Sequence, residues 1–275
     1  MQPLDTWPRA ARRGIVGVLT DIDDTLTTDG AITADALAAL HALRGAGLPV
    51  VPITGRPVGW SAEFAATWPV DAVVAENGAV ALLKPSPKGL QPAPGAGPVL
   101  SKIYQQDAAT RVANFGRMQQ VAQRILREIP GTALAQDSPG RETDIAVDHS
   151  EFVQLDAATV ARVVALMRSE GMHATVSSIH INGWFGDHDK LSGARWILRT
   201  LWQRDLDAEI DRWVYVGDST NDQTMFGHFP HSVGVANVAR FVPQLRHLPR
   251  YVTPAERGTG FAQVADAILQ ARDPV

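Results

Sequence analysis

Short apolar runs alternate with amphipathic stretches along the first third of the chain. The apolar runs at residues 15–20, 49–54 and 71–77 are long enough for buried strands and too short for buried helices. Helical patterns cover residues 34–47 and 57–67, between these runs. The order strand, helix, strand, helix, strand predicts a parallel sheet with helices on both faces.

The pattern changes in the middle of the chain. Residues 84–98 contain five prolines and three glycines, which predicts a loop. Five elements in a different order follow it: helical patterns at 107–129 and 155–171, a strand pattern at 142–149 and two strand patterns within 173–185. This mixture predicts an inserted α+β domain over residues 82–186.

The first pattern returns after the insertion. It comprises helical patterns at 190–204, 221–227 and 260–270, and strand patterns at 212–218, 232–237 and 251–253. The predicted fold class is therefore α/β. A Rossmann-like, doubly wound parallel sheet would be built from residues 1–81 and 187–275, with the α+β domain inserted into it.

The composition of the chain limits its possible partners, metal ligands and cellular location. A chain of 275 residues with 45% hydrophobic residues can bury a large core. The net charge of −4 and the absence of a basic block argue against a nucleic-acid partner. Without cysteine there is neither a disulfide nor a thiolate metal site. With no signal-peptide pattern and no apolar run of membrane-spanning length, we expect a cytoplasmic protein that does not associate with membranes.

An acidic cluster follows the first predicted strand. In the segment GIVGVLTDIDDTLT, Asp21, Asp23 and Asp24 come directly after the apolar run. Like charges at this spacing repel and raise one another's pKa, so the cluster needs a neutralising partner.

Other polar residues also lie at the ends of predicted strands or at the start of a predicted helix. Thr54 follows the second predicted strand, Asp218 follows the strand at 212–218, and Lys190 begins a predicted helix. Ligands bind outside the carboxyl ends of the strands in such sheets, so these side chains are expected to converge with Asp21 and Asp23 on one edge.

A hard divalent cation is the simplest neutralising partner. Mg²⁺ prefers oxygen ligands, and the side chains of Asp21 and Asp218 could supply them. Asp23 is expected to offer its backbone carbonyl, which leaves its carboxyl group free. Asp222 could hold a metal-bound water or orient Lys190.

Phosphate is the ligand that suits the remaining groups. The Thr54 hydroxyl, the amides around Gly55, the Lys190 ammonium and the Asn221 amide could all donate to its oxygens. Carboxylates can form aspartyl-phosphate intermediates, so Asp21 would attack the phosphorus atom.

An acid and base for this reaction is close in sequence. Asp23 could protonate the leaving alcohol and then deprotonate the attacking water. Each motif alone also has a structural interpretation, since paired aspartates cap helices and a lysine at a helix start is usually solvated. Their order and their common position at strand ends and helix starts favour chemistry.

The four motifs resemble those of the haloacid dehalogenase superfamily of aspartate-nucleophile phosphatases. They are DIDDTLT, VPITGRP, DHDKLSGARW and GDSTNDQTMF, and together they span nearly the whole chain. The resemblance implies Asp21 as nucleophile, Asp23 as acid and base, and Asp218 as metal ligand. It also implies Asn221 as a phosphate contact and Asp222 as a partner of the metal water or of the lysine.

The position of the insertion matches one branch of this family. Too few residues separate Asp23 from Thr54 for a cap domain, whereas the long stretch from Thr54 to Lys190 accommodates one. This resembles the sugar phosphatases with a type-two α/β cap, including sucrose-phosphate, mannosyl-phosphoglycerate and trehalose-phosphate phosphatases. One departure is Asp24, where many members carry glycine.

Several residues are candidate contacts for the substrate outside the phosphate. They are Arg56, Asn77, His180 and Asn182, each of which could instead make only structural contacts. Trp184, in the same region, is interpreted as core or hinge packing.

The leading hypothesis is a Mg²⁺-dependent phosphatase acting on a small phosphorylated sugar or related metabolite. A phosphosugar mutase shares the first chemical step, but its cap usually lies between the first two motifs. A phosphorylatable switch of the receiver type would be about half this length and would carry its phosphorylated Asp on a later strand. A glycosyltransferase with a DxD metal site leaves Thr54, Lys190 and the GDSTND segment unexplained. The pattern does not distinguish a monomer from a homodimer.

Overall fold

The computed structural model describes residues 1–84 and 100–272, in which short strands alternate with helices. The strands are β1 Gln2–Pro3, β2 Gly17–Thr20, β3 Thr27–Thr28, β4 Ala31–Ile32, β5 Val50–Pro52, β6 Ala72–Ala75, β7 Val80–Leu83, β8 Ser101–Tyr104, β9 Ala133–Leu134, β10 Ile145–Asp148, β11 His173–Val176, β12 His180–Trp184, β13 Trp213–Gly217, β14 His231–Gly234 and β15 Tyr251–Val252. The helices are α1 Arg9–Gly14, α2 Ala34–Gly45, α3 Val58–Thr67, α4 Ala108–Glu128, α5 Ala157–Ser169, α6 Lys190–Trp202, α7 Gln223–His228 and α8 Arg257–Gln270. All but one of the predicted segments contain a matching element. The remaining one, the proline-rich loop, lies outside the described residues beyond Lys84.

A parallel sheet of six strands forms the centre of the molecule, in the order β1-β15-β14-β13-β2-β5. Side chains along its strands alternate between two apolar cores. Val18 and Val50 face the core that holds α2 and α8, whereas Leu19 and Val51 face the core that holds α6 and α7. Both faces are therefore buried, which explains the continuous apolar runs in the sequence. The predicted doubly wound α/β fold is confirmed.

The chain reverses direction after β6. Val74 makes a parallel bridge to Ile53, but β6 then pairs antiparallel with β7, and β7 pairs antiparallel with β8. A tight turn at 76–78, in which Glu76 and Asn77 have φ of 49° and 55°, produces the reversal. The strand predicted at 71–77 is therefore too long, because its last residues form this turn. Residue 82, the predicted start of the inserted domain, lies within β7.

The part of the chain between β8 and α6 forms a second, antiparallel sheet with the strand order β11-β12-β10-β9. Helices α4 and α5 pack on it through a separate core that includes Met118, Ile125, Val147 and Met167. Trp184 is 2% exposed and belongs to this core, as its interpretation as a packing residue predicts. Among residues 1–84 and 100–272, no helix combines the length and apolar character that crossing a membrane requires.

Candidate active site

Two aspartates leave adjacent central strands at the same edge of the sheet. Asp21 follows β2 and Asp218 follows β13, and these strands pair in parallel with Thr20 opposite Val216. The backbone amide of Asp21 donates to the carbonyl of Val216 at 2.9 Å. The register of the sheet thus places the two carboxylates side by side at its carboxyl edge.

Lys190 brings a positive charge to this edge. It is the first residue of α6, whose N-cap Asp189 accepts a hydrogen bond from the Ser192 amide at 2.7 Å. The Lys190 ammonium donates to Asp21 Oδ1 at 2.6 Å and to Asp222 Oδ1 at 2.7 Å. Lys190 is 3% exposed, so this contact is a buried ion pair with two carboxylates.

Both carboxylate oxygens of Asp222 accept hydrogen bonds. Its Oδ2 accepts the backbone amides of Asp218 and Ser219 at 2.9 and 3.1 Å. The hydroxyl of Tyr215 donates to its Oδ1, beside the lysine. Of the two predicted partners for Asp222, the structure places Lys190 in direct contact.

The three carboxylates are arranged so that they can hold a metal ion. One oxygen from each of Asp21, Asp218 and Asp222 lies within 4.8 Å of the others. Asp218 Oδ1 is buried and has no hydrogen-bond partner among the described residues, whereas Asp218 Oδ2 accepts from Asn237 at 3.1 Å. An unpaired buried carboxylate oxygen is costly, and an all-oxygen set suits a hard cation such as Mg²⁺.

Burial makes this edge electrostatically strained when it holds no cation. Burial, and then the neighbouring Asp222 and Asp23, raise the pKa of Asp21 to about 8, although Lys190 acts in the opposite direction. Burial and the charges of Asp222 and Asp21 raise the pKa of Asp218 well above its usual value. A divalent cation would remove this penalty and keep both groups ionised.

The side chain of Asp23 is paired with an arginine. Both of its oxygens accept from Nε of Arg56 at 3.1 Å. Burial raises the pKa of Asp23, and Arg56 opposes the shift. The carboxyl group of Asp23 is thus bound to Arg56 and is not one of the three carboxylates that could hold a metal ion.

Thr54 and Gly55 form a loop beside this edge. Thr54 is fully buried, and its hydroxyl accepts the Arg56 amide at 3.0 Å. A Cβ atom placed on Gly55 would lie 3.3 Å from side-chain atoms of both Asn77 and Asn182. Asn77 Nδ2 is buried and has no partner in the described part of the chain, so it is available to a ligand.

The other predicted contacts differ in their surroundings. The amide of Asn182 donates to Asp144 at 2.9 Å and to the Gly55 carbonyl at 3.2 Å, so it joins β12 to the Thr54 loop. Asn221 is half-buried, and its Oδ1 accepts from Ser219 Oγ at 2.9 Å. His180 does not face the metal set, because its ring contacts Glu151 at 2.8 Å.

Sequence reasoning missed Asp137 and Glu151, which lie in loops next to strands of the second sheet. Both pair with Arg56, which also pairs with Asp23. The Glu76 carboxylate accepts the backbone amides of Glu142 and Thr143, also from that region. These contacts join segments far apart in the chain, so no local sequence pattern identified Asp137 or Glu151.

The sequence of the first strands matches a known family. Residues 18–91 match the family model of haloacid dehalogenase-like hydrolases. The predicted motifs Asp21, Asp23 and Thr54 lie inside this segment. This segment of the chain is therefore similar to haloacid dehalogenase-like hydrolases.

Solved structures share the fold of this chain over almost its full length. Protein 0175 of Thermoplasma acidophilum is 17% identical, with a TM-score of 0.68 over 93% of this chain and 98% of that one. The sucrose-phosphatase of Synechocystis, solved with sucrose and phosphate, is 15% identical, with a TM-score of 0.62 over 92% and 98%. A haloalkanoate-superfamily phosphatase of Bacteroides thetaiotaomicron is 17% identical, with a TM-score of 0.60 over 96% and 97%. No curated protein sequence matches the chain.

Proposed function

We propose that this protein is a haloacid dehalogenase-like hydrolase, and that it is a Mg²⁺-dependent phosphatase acting on a small phosphorylated sugar or a related metabolite. The observation that carries the proposal is the contact of Lys190 with Asp21 at 2.6 Å, beside the unpaired oxygen of Asp218. A nucleophilic carboxylate, a cation-binding set and an ammonium group therefore share one edge of the sheet.

Asp21 is the proposed nucleophile. One of its oxygens bonds to the phosphorus atom while the bond from phosphorus to the ester oxygen breaks. Asp23 donates a proton to the departing alkoxide and then takes one from the water that attacks the aspartyl-phosphate. Inorganic phosphate leaves, and Asp21 is regenerated as a carboxylate.

Hydrogen-bond donors surround the proposed position of the phosphate. The Thr54 hydroxyl, the Gly55 amide, the Lys190 ammonium and the Asn221 amide are the proposed contacts of its oxygens. Such preorganised donors usually supply most of the rate enhancement in phosphoryl transfer. Mg²⁺, held by Asp21, Asp218 and Asp222 with the backbone carbonyl of Asp23, would neutralise part of the negative charge.

The second sheet with α4 and α5 is the proposed cap, which would cover the site and exclude water. We assign residues 82–186 to the inserted segment that carries this cap and residues 1–81 and 187–275 to the catalytic core, with the end of β7 and all of β8 in the insertion extending the sheet that begins at β6. The fold shared with a sucrose-phosphatase and another phosphatase supports a sugar phosphate as substrate. Asn77 and Asn182 would contact the substrate beside the phosphate, and His180 would act through Glu151. The cysteine-free sequence fits a cytoplasmic enzyme.

The decisive experiment is the release of inorganic phosphate from a panel of phosphorylated metabolites, with and without Mg²⁺. Asp21→Asn should abolish release while the variant keeps the wild-type circular-dichroism spectrum. Turnover by this variant would overturn the mechanism. An isomerised phosphosugar without free phosphate would indicate a mutase, and a long-lived phosphoryl-enzyme would indicate a switch protein.

A further inference from the structure

A cleft of about 450 Å³ opens next to Asp23, between the core and the second sheet. One wall comes from the core around residues 23–30, and the other comes from residues 150–152 and 178–179. If Asp23 protonates the leaving group, this cleft is where the leaving group lies. Its volume is in the usual range for a small-molecule site.

The wall formed by residues 150–152 is held in place. Asp148, which is buried, accepts the amides of Glu151 and Phe152, each at 2.9 Å. Phe152 is nevertheless 61% exposed and lines the cleft. An exposed aromatic ring on an anchored backbone, next to polar groups, suits the apolar face of a sugar ring.

The guanidinium group of Arg56, which lines the cleft, is already paired with carboxylates. Arg56 contacts Asp23 at 3.1 Å, Glu151 at 2.9 Å and Asp137 at 3.3 Å. The hydrogen bond from His180, together with Arg56, lowers the pKa of Glu151 to about 2, so Glu151 is a carboxylate at any working pH. Three carboxylates surrounding one guanidinium leave no positive charge to bind an anion.

Arg257, on the wall of the cleft that the core forms, is also paired with carboxylates. Arg257 contacts Asp24 at 3.1 Å and Asp29 at 3.0 Å. The backbone of Asp24 has a φ of 55°, a conformation that glycine adopts more readily. Its side chain is the one that pairs with Arg257. Arg240, which also lines the cleft, contacts Glu256 at 3.4 Å.

Acidic groups therefore outnumber basic groups around the cleft. Its lining includes four carboxylates and three guanidinium groups, and every one of these guanidinium groups has a carboxylate partner. Carboxylates are good acceptors for sugar hydroxyls, but they repel a second anion.

We propose that this cleft selects substrates whose leaving group is a neutral polyhydroxylated alcohol and rejects those whose leaving group carries a carboxylate or a second phosphate. The inference rests on the proposed phosphatase function and adds to it the charge of the leaving group. Sugar and sugar-alcohol phosphates are then substrates, whereas phosphorylated sugar acids of the same size are not.

Matched substrate pairs test this selection with the full chain and Mg²⁺. Sorbitol 6-phosphate and 6-phosphogluconate differ at one end only, as a hydroxymethyl group or a carboxylate. Glycerol 3-phosphate and 3-phosphoglycerate form a second pair. We expect kcat/KM for the neutral member to exceed that of the acid by at least about tenfold, because like charges in a partly buried site repel strongly.

Equal or higher kcat/KM for the acid members would overturn the inference while the phosphatase function stands. If neither member is hydrolysed, their inhibition constants against para-nitrophenyl phosphate provide the same comparison. Failure to hydrolyse para-nitrophenyl phosphate or any panel member would overturn the phosphatase function, and the inference with it.

Two substitutions locate the selection in the cleft. Glu151→Gln removes a charge partner of Arg56, and Asp29→Asn removes one from Arg257 on the opposite wall. Each should lower the ratio between neutral and acid substrates, with the larger effect for Glu151→Gln because Asp29 is 85% exposed. Glu63→Gln, at an exposed position of α3, is the control and should leave the ratio unchanged. An unchanged ratio in both cleft variants, with thermal unfolding like the wild type, would contradict the proposal.

Discussion

The ammonium group of Lys190 lies 2.6 Å from Asp21 Oδ1, although 169 residues separate the two along the chain. The same ammonium contacts Asp222, and all three residues are buried. In a buried cluster of this kind, removing one partner leaves uncompensated charge, so the contact has consequences for both stability and activity.

Lys190→Met tests this contact. The variant keeps an unbranched side chain of similar size but leaves Asp21 and Asp222 without their cation. We expect phosphate release to fall by at least about a hundredfold, as for the loss of a preorganised electrostatic donor. Metal-free protein should also lose about 3–5 kcal/mol of unfolding free energy, measured with denaturant. Lys102→Met, at a lysine 44% exposed, is the control, and wild-type turnover in Lys190→Met would contradict the assignment.

Metal binding can be measured without reference to activity. Adding Mg²⁺ should raise the thermal unfolding temperature of the wild type, because a ligand that binds only the folded state stabilises it by mass action. Asp218→Asn should abolish this increase. Its metal-free form should unfold at the wild-type temperature or above, because the buried carboxylate is costly without a cation.

A matched control for the metal experiment is Asp205→Asn, at an exposed position in the loop after α6. This variant should keep the full response to Mg²⁺. A response in Asp218→Asn equal to that of the wild type would remove Asp218 from the metal set.

The position of Lys190 also depends on a close approach between two glycines. A Cβ atom on Gly193 would lie 2.6 Å from Gly78 Cα, where the turn after β6 packs against α6. Gly193→Ala should therefore displace the start of α6, lower the unfolding free energy by about 1–3 kcal/mol and reduce kcat.

Gly116 provides the contrasting substitution. It lies within α4, and a Cβ atom there would meet nothing within 4 Å. Gly116→Ala should stabilise the protein by about 0.5–1 kcal/mol, because alanine restricts the unfolded chain. Equal effects of the two alanines on unfolding and kcat would contradict the packing argument.

Glu76 predicts a pH dependence of stability. Burial, and then the charge of Asp144, raise its pKa to about 7, although hydrogen bonds from Thr143 and Val58 and the charge of Arg141 oppose the shift. The folded state then binds this proton more tightly than the unfolded state does. The contribution of Glu76 to stability is therefore greatest below the unfolded pKa and is lost as the pH rises towards about 7.

Glu76→Gln isolates this contribution. The variant should be less stable at pH 4.5, because an amide cannot accept all the hydrogen bonds that Glu76 accepts. The stability difference from the wild type should shrink between about pH 4.5 and 7.5, since only the wild type loses the contribution there. Denaturant unfolding across this range measures it, and parallel pH profiles would show that Glu76 does not titrate there.

The sequence alone determined most strands of the sheet and which polar residues follow them. Apolar runs are local signals of strands buried on both faces, and β2, β5 and β13 lie within the predicted runs. Asp21 and Asp218 follow such runs directly, so their common edge could be inferred from the rule for parallel sheets. The resemblance to a known family added proposed roles to these positions.

Only the tertiary structure decided which side chains touch across distant segments. The reversal after β6 depends on left-handed φ angles at Glu76 and Asn77, which neither residue type requires. The pairing of Arg56 with Asp137 and Glu151 depends on how the second sheet packs against the core. Charged side chains show no periodicity that would identify their partners, because the contacts form only once the two sheets have packed together. The charge balance of the cleft beside Asp23 is therefore a property of the fold.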